Sequence, residues 1–130
     1  MNEHHLKIIL QGVKAWNDWR KNDPDIVPNL EGANLEGLNL ENINLWNTNL
    51  ERVNLKGANL WYADLRRAIL TDTDLTGADL AGVSLTYTNL GRAILNNANL
   101  EGADLWHADL RGSYLHGVNF TGANLHGVKR

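Results

Sequence analysis

The sequence predicts an all-β solenoid, a four-sided β-helix of about five coils with an N-terminal capping α-helix. Three observations carry this expectation. Leu recurs at every fifth position from Leu30 to Leu125, interrupted once by Phe120. A small or apolar residue lies two places before each of these, and Asn or Asp immediately before it in sixteen of the twenty cases. Upstream, residues 4–22 space their apolar side chains by threes and fours instead of fives.

Neither regular element accommodates a five-residue period. On an α-helix, five steps of about 100° rotate the side chain by about 140°, which scatters the leucines around the cylinder. On a flat strand, an odd step sends successive leucines to opposite faces. The period works if the chain turns a corner every five residues. Four corners then close a coil of twenty, with each Leu and the residue two before it pointing inward. Leu30 to Leu125 makes about five such coils, a rod roughly 24 Å long at the usual inter-strand spacing. Each coil contacts only its neighbours, so both end coils expose strand edges and an apolar layer.

Stretches such as Ala33-Asn34-Leu35-Glu36-Gly37 and Ala78-Asp79-Leu80-Ala81-Gly82 resemble the A(D/N)LXX signature of pentapeptide-repeat proteins. The resemblance implies a right-handed quadrilateral β-helix for residues 28–130. The Asn/Asp position departs from the pattern at Ile69, Ser84, Ile94 and Tyr114. The motif AWNDWRKNDPD, residues 15–25, also resembles the helical cap of cyanobacterial members, which as a group have no agreed function.

Residues 1–27 form the expected cap and linker. Leu6, Ile9, Leu10, Val13, Trp16 and Trp19 fall on one helical stripe, with Lys7, Lys14, Asp18 and Lys21 off it. Arg20 and Lys21 suit the helix C-terminus, Pro24 stops it, and Gly12 weakens it. The stripe is expected to cover Leu30, Leu35, Leu40 and Leu45, where the bulkier Leu38 and Ile43 replace Ala. With four acids and four bases in residues 1–27, the segment does not read as a basic membrane-surface helix.

Composition excludes several classes. There is no Cys, so disulfides and Cys-ligated metals are out. No signal peptide and no apolar run of membrane-spanning length appears, so a cytoplasmic location is expected. A net charge of −3 points to neither direct nucleic-acid binding nor a membrane partner. A filled β-helix offers no pocket of converging polar groups, and no phosphate loop or nucleophile motif is present. The chain therefore reads as a non-enzyme with no cofactor and no metal, acting as an interaction or structural scaffold. His107 and His126, on adjacent coils, form at most a two-ligand set, too few to hold a metal well. His4 and His5 are expected to be solvated.

Residues twenty apart stack on one face, which sorts the surface into columns. One reads Arg52, Asp72, Arg92, an alternating charge decoration. Two others bring Trp46, Arg66, Arg67, Tyr87, Trp106 and His107 to one corner, with Trp61 and Tyr62 on the preceding side. Arg66 is expected over Trp46, and His126 over Trp106. Residue types of this kind are enriched at binding hot spots, so the corner is the candidate stripe for an unidentified protein partner. At the far end no second helix follows the repeats. Leu115, Phe120 and Leu125 are the candidate dimer end, in line with C-terminal dimers in related proteins.

The alternative function is DNA mimicry directed at DNA gyrase, known for some members of the family. A rod of this length would need about fourteen net negative charges to match duplex DNA. Residues 28–128 hold eleven acids and six bases, a net of −5. Arg66, Arg67, Arg92 and Arg111 interrupt any acidic face. Mimicry therefore ranks second.

Overall fold

A computed structural model describes all of residues 1–130. The repeats form a parallel stack with one strict register. Seventeen parallel bridges link residues twenty apart, from Asn29 with Asn49 to Asp109 with Lys129. No extended strand forms, because pairing is confined to one residue per pentad. The other positions are taken by the turn: Leu30 accepts a hydrogen bond from the Ala33 N–H at 2.9 Å, and Leu80 from Val83 at 3.1 Å. In the third place of every such turn the chain is left-handed, in ten glycines and ten other residues. This is the backbone a type II turn requires, and it explains why half of these places are Gly.

The Asn/Asp preference has an equally local cause. In all sixteen cases the side-chain oxygen accepts the backbone N–H two residues on, as Asn34 does from Glu36 and Asp104 from Trp106. That N–H precedes the left-handed residue and has no backbone partner, so the side chain closes the corner as an Asx-turn. Where the carboxamides stack, they also bond along the column, as from Asn54 Nδ2 to Asn34 Oδ1 at 3.2 Å. The core is the column of leucines with the residue two before each. Leu30 through Leu105 are almost wholly inaccessible. Thr73 and Thr88, buried in the small-residue position, send their hydroxyls to the carbonyls of Leu50 and Leu65 at 2.7 Å.

The N-terminal segment is two helices, which corrects the single helix expected over 4–22. They are α1 (Glu3–Leu10) and α2 (Val13–Asn22). The break is at Gly12, whose φ of 110° lies outside any helix. Asn2 caps α1 by accepting the N–H groups of His4 and His5. The break resets the helical phase. Leu10, expected on the inner stripe, is exposed, while Ile8 joins Ile9 and Trp16 in the same core as the leucines. No helix of the chain is long and apolar enough to cross a membrane.

Five residues of this segment bond to the first coil. Trp16 Nε1 donates to the Asn44 carbonyl at 2.6 Å. Arg20 donates to the carbonyls of Asn44 at 3.0 Å and Trp46 at 2.7 Å, and to Thr48 Oγ1 at 3.1 Å. Asn17 Oδ1 accepts the Asn44 N–H at 2.8 Å, and its amide donates to the Asn42 carbonyl. His5 Nδ1 accepts the Asn29 N–H at 3.0 Å, and the Asn2 N–H bonds the Asn29 carbonyl. His5 is thus buried, contrary to the solvated position expected for it. Burial first, and the neighbouring His4 second, lower its pKa below the ordinary imidazole value. One cycle further on, the carbonyls of Asp64 and Arg66 accept from the backbone N–H groups of Leu45 and Asn47. Trp16 and Arg20 therefore occupy the place of a preceding coil.

Candidate interaction site

The six residues of the predicted stripe do not act as one group. Arg66 leaves Trp46 and forms a two-point pair with Asp64, Nε at 2.8 Å and Nη2 at 2.7 Å. Asp64 is on the same corner two residues earlier, and a bidentate carboxylate holds a guanidinium better than an exposed ring face does. Trp46 stands alone at the base of the column, partly exposed, with its carbonyl held by Arg20. His126 packs edge-on against His107, ring centres 5.8 Å apart, and not over Trp106.

What the structure does bring together is a continuous stack. The Arg67 guanidinium lies 5.0 Å from the Tyr87 ring centre. Tyr87 stacks on His107 at 5.6 Å with planes 11° apart. Trp106 meets both edge-on, at 5.3 Å from Tyr87 and 4.4 Å from His107. Tyr87 is about half exposed, and Trp106 is partly exposed, to the same degree as Trp46.

Arg67, Tyr87 and His107 all occupy the left-handed corner place. A non-glycine residue there costs roughly 1–2 kcal/mol. The ring and cation contacts each return about 0.5–1.5 kcal/mol, so the column gains little net stability from its side chains. The opposite choice is made on the column Gly37, Gly57, Gly77 and Gly117, where only Asn97 is not glycine.

The other cations are already paired. Arg92 holds Asp72 through two contacts of 2.9 Å and keeps its carboxyl below the usual carboxylate range. Arg52 turns away from Asp72 to Glu51 and Glu31. Arg111 grips Asp109, and Lys56 approaches Asp74.

A second feature lies on the preceding corner of the same face. Trp61, Tyr62, Ala81, Gly82, Glu101 and Gly102 line a groove of about 370 Å³. The twenty-residue rule contains it in full: Trp61, Ala81, Glu101 in one column and Tyr62, Gly82, Gly102 in the next. The large residues of these columns are Trp61 and Tyr62, and the gap is left by the small ones, Ala81, Gly82 and Gly102.

The chain matches the family model described as Pentapeptide repeats, in eight copies over residues 29–60, 62–97 and 93–129. No curated protein matches it. Among solved structures it is similar to a pentapeptide repeat protein, Rfr23, from the cyanobacterium Cyanothece 51142. The two are 33% identical over 87% of this chain and 92% of that one, with a TM-score of 0.46. It is also 30% identical to HetL of Nostoc sp. strain PCC 7120, a pentapeptide repeat protein involved in heterocyst differentiation regulation. That match covers 78% of this chain and 56% of HetL, with a TM-score of 0.45. QnrB1, a plasmid-mediated fluoroquinolone resistance protein, is 22% identical over 78% of this chain and 72% of its own, with a TM-score of 0.37.

Proposed function

Because this chain belongs to the pentapeptide-repeat family, we propose that it is a non-enzymatic scaffold that presents one corner to a protein partner. In this reading residues 28–130 are a right-handed quadrilateral β-helix of about five coils. Residues 1–27 are its cap. The recognition surface is Arg67, Tyr87, Trp106 and His107. One observation carries the reading: in left-handed places where glycine is free of strain, Arg67, Tyr87 and His107 form a continuous exposed stack that no carboxylate ties down. Backbone strain of this kind is retained where a side chain is needed for something other than folding. Tyr87→Gly with His107→Gly separates the two roles. The double variant should hold or raise its melting temperature and lose a partner that wild type enriches from native extract. Unchanged enrichment, or a large fall in melting temperature, contradicts the assignment.

Gyrase mimicry stays the second reading. The −5 net charge of residues 28–128 falls well short of the roughly fourteen needed, and five of the six cations there are tied to carboxylates. Supercoiling inhibition by micromolar protein would promote it.

The scaffold is also proposed to pair through its C-terminal coil. Leu115 is 36% exposed, against complete burial of Leu35, and Phe120 and Leu125 are only half-buried. A two-fold contact would cover this layer, and Phe120→Glu should abolish it. Sedimentation equilibrium reads the result; a wild type that is monomeric at high micromolar concentration rules the pair out.

A further inference from the structure

We propose that the groove between Trp61 and Glu101 receives the guanidinium of an arginine side chain on a partner polypeptide. The groove exists because two columns change residue size abruptly. Trp61 and Tyr62 stand on one coil, Ala81 and Gly82 on the next, and Glu101 and Gly102 on the one after. The Tyr62 ring lies directly over Gly82, where any Cβ would collide with it. The floor is therefore backbone, one wall is aromatic, and the other carries a carboxylate.

The backbone of that floor asks nothing of a ligand. The Tyr62 N–H bonds the Ala81 carbonyl at 3.0 Å, and the Gly82 N–H bonds the Glu101 carbonyl at 2.9 Å. What remains open is the side-chain chemistry. The Glu101 carboxylate makes no ion pair and accepts no hydrogen bond within the chain, unlike Asp64, Asp72 and Asp109, each held by an arginine. Tyr62 is 65% exposed. The two walls belong to coils two rungs apart, about 9–10 Å. A flat cation can lie against the rings and still reach the carboxylate across that gap.

Two aromatic rings attract a cation through their faces, and a carboxylate accepts two parallel N–H donors from a guanidinium. An anion would meet the charge of Glu101 with no cation on the groove to offset it. A neutral group would leave that charge unused. The site is separate from the Tyr87–His107 stack, and its test does not depend on that stack binding anything.

The probe is N-acetylarginine amide, with the neutral isostere N-acetylcitrulline amide as its control, titrated into ¹⁵N-labelled full-length protein. The arginine probe should move the Gly82 and Gly102 amides and the Trp61 indole signal, and the citrulline probe should move them much less. Trp61→Ala and Glu101→Gln should each weaken arginine binding by roughly two- to fivefold, the range for an exposed cation–ring or charge contact. Glu101→Gln breaks no ion pair or hydrogen bond of the folded chain, so the fold stays in place. Equal responses to the two probes, no movement at Gly82 and Gly102, or undiminished arginine binding by Glu101→Gln would each overturn the proposal.

Discussion

The first coil and the last coil of this rod are built from the same pentads, yet they end differently. At the first, Trp16, Asn17, Arg20 and His5 hydrogen-bond the strand edge, and Ile8, Ile9 and Trp16 cover its leucines. At the last, the N–H groups of Leu115, Phe120 and Leu125 make no hydrogen bond, nor do the carbonyls of Ser113, Val118 and Ala123. Its leucines are partly open as well. The difference teaches that a solenoid coil is not stable by its own sequence. A pentad is worth what lies on both sides of it.

The largest effect should come from moving one deletion along the rod. Leu80→Ala, buried between two coils, should cost about 2–5 kcal/mol in denaturant melts. Leu125→Ala, already half-exposed, should cost clearly less. Equal losses would erase the distinction between inner and end coils.

Next is Arg20, a buried guanidinium with no carboxylate contact, whose pKa burial itself lowers. Its hydrogen bonds go to two carbonyls and a hydroxyl, and its Nε has no partner. Arg20→Ala should cost about 2–3 kcal/mol, because charged donors are removed and the Asn44 and Trp46 carbonyls lose partners. Full stability in this variant would mean that water serves the edge as well as the helices do.

The smallest effect is a pH dependence at the same end. His5 accepts the Asn29 N–H through Nδ1, so it must be neutral there. Its folded pKa lies below the ordinary imidazole value of about 6.5. The unfolded chain therefore binds the proton first as pH falls, and stability declines from about pH 6.5 down to the folded pKa. Above that window the contribution is complete. His5→Asn should flatten this slope without changing the acid limb set by Asp72 and Asp109, which arginines hold below the usual carboxylate range. An unaltered slope would remove His5 from the edge.

Much of this was legible in the sequence because the period is itself the geometry. Leu every fifth residue corresponds to a buried side chain from Leu30 to Leu110, and columns every twentieth to the parallel bridges. The break at Gly12 was not legible. A single Gly lowers helix stability by only about 1 kcal/mol, and nothing local signals a φ of 110°. The burial of His5 has no local signal either, because its partner, the Asn29 N–H, is twenty-four residues away. The column rule pairs coils and so points Arg66 at Trp46, while the stronger partner Asp64 lies within the same corner. The groove at Trp61 and Glu101 is written in the columns as small residues, and its chemistry emerges only once the Tyr62 ring is seen lying over Gly82.

Native-state hydrogen exchange tests the contrast between the two ends most directly, at a concentration where sedimentation shows a monomer. The Asn29 and Asn44 amides, bonded to His5 and Asn17, should be strongly protected, and Asn17→Ala should release Asn44 alone. The Leu115, Phe120 and Leu125 amides should exchange fastest of the leucine column. Protection at Leu125 equal to that at Leu65, or an Asn44 amide that exchanges freely in wild type, would contradict the account.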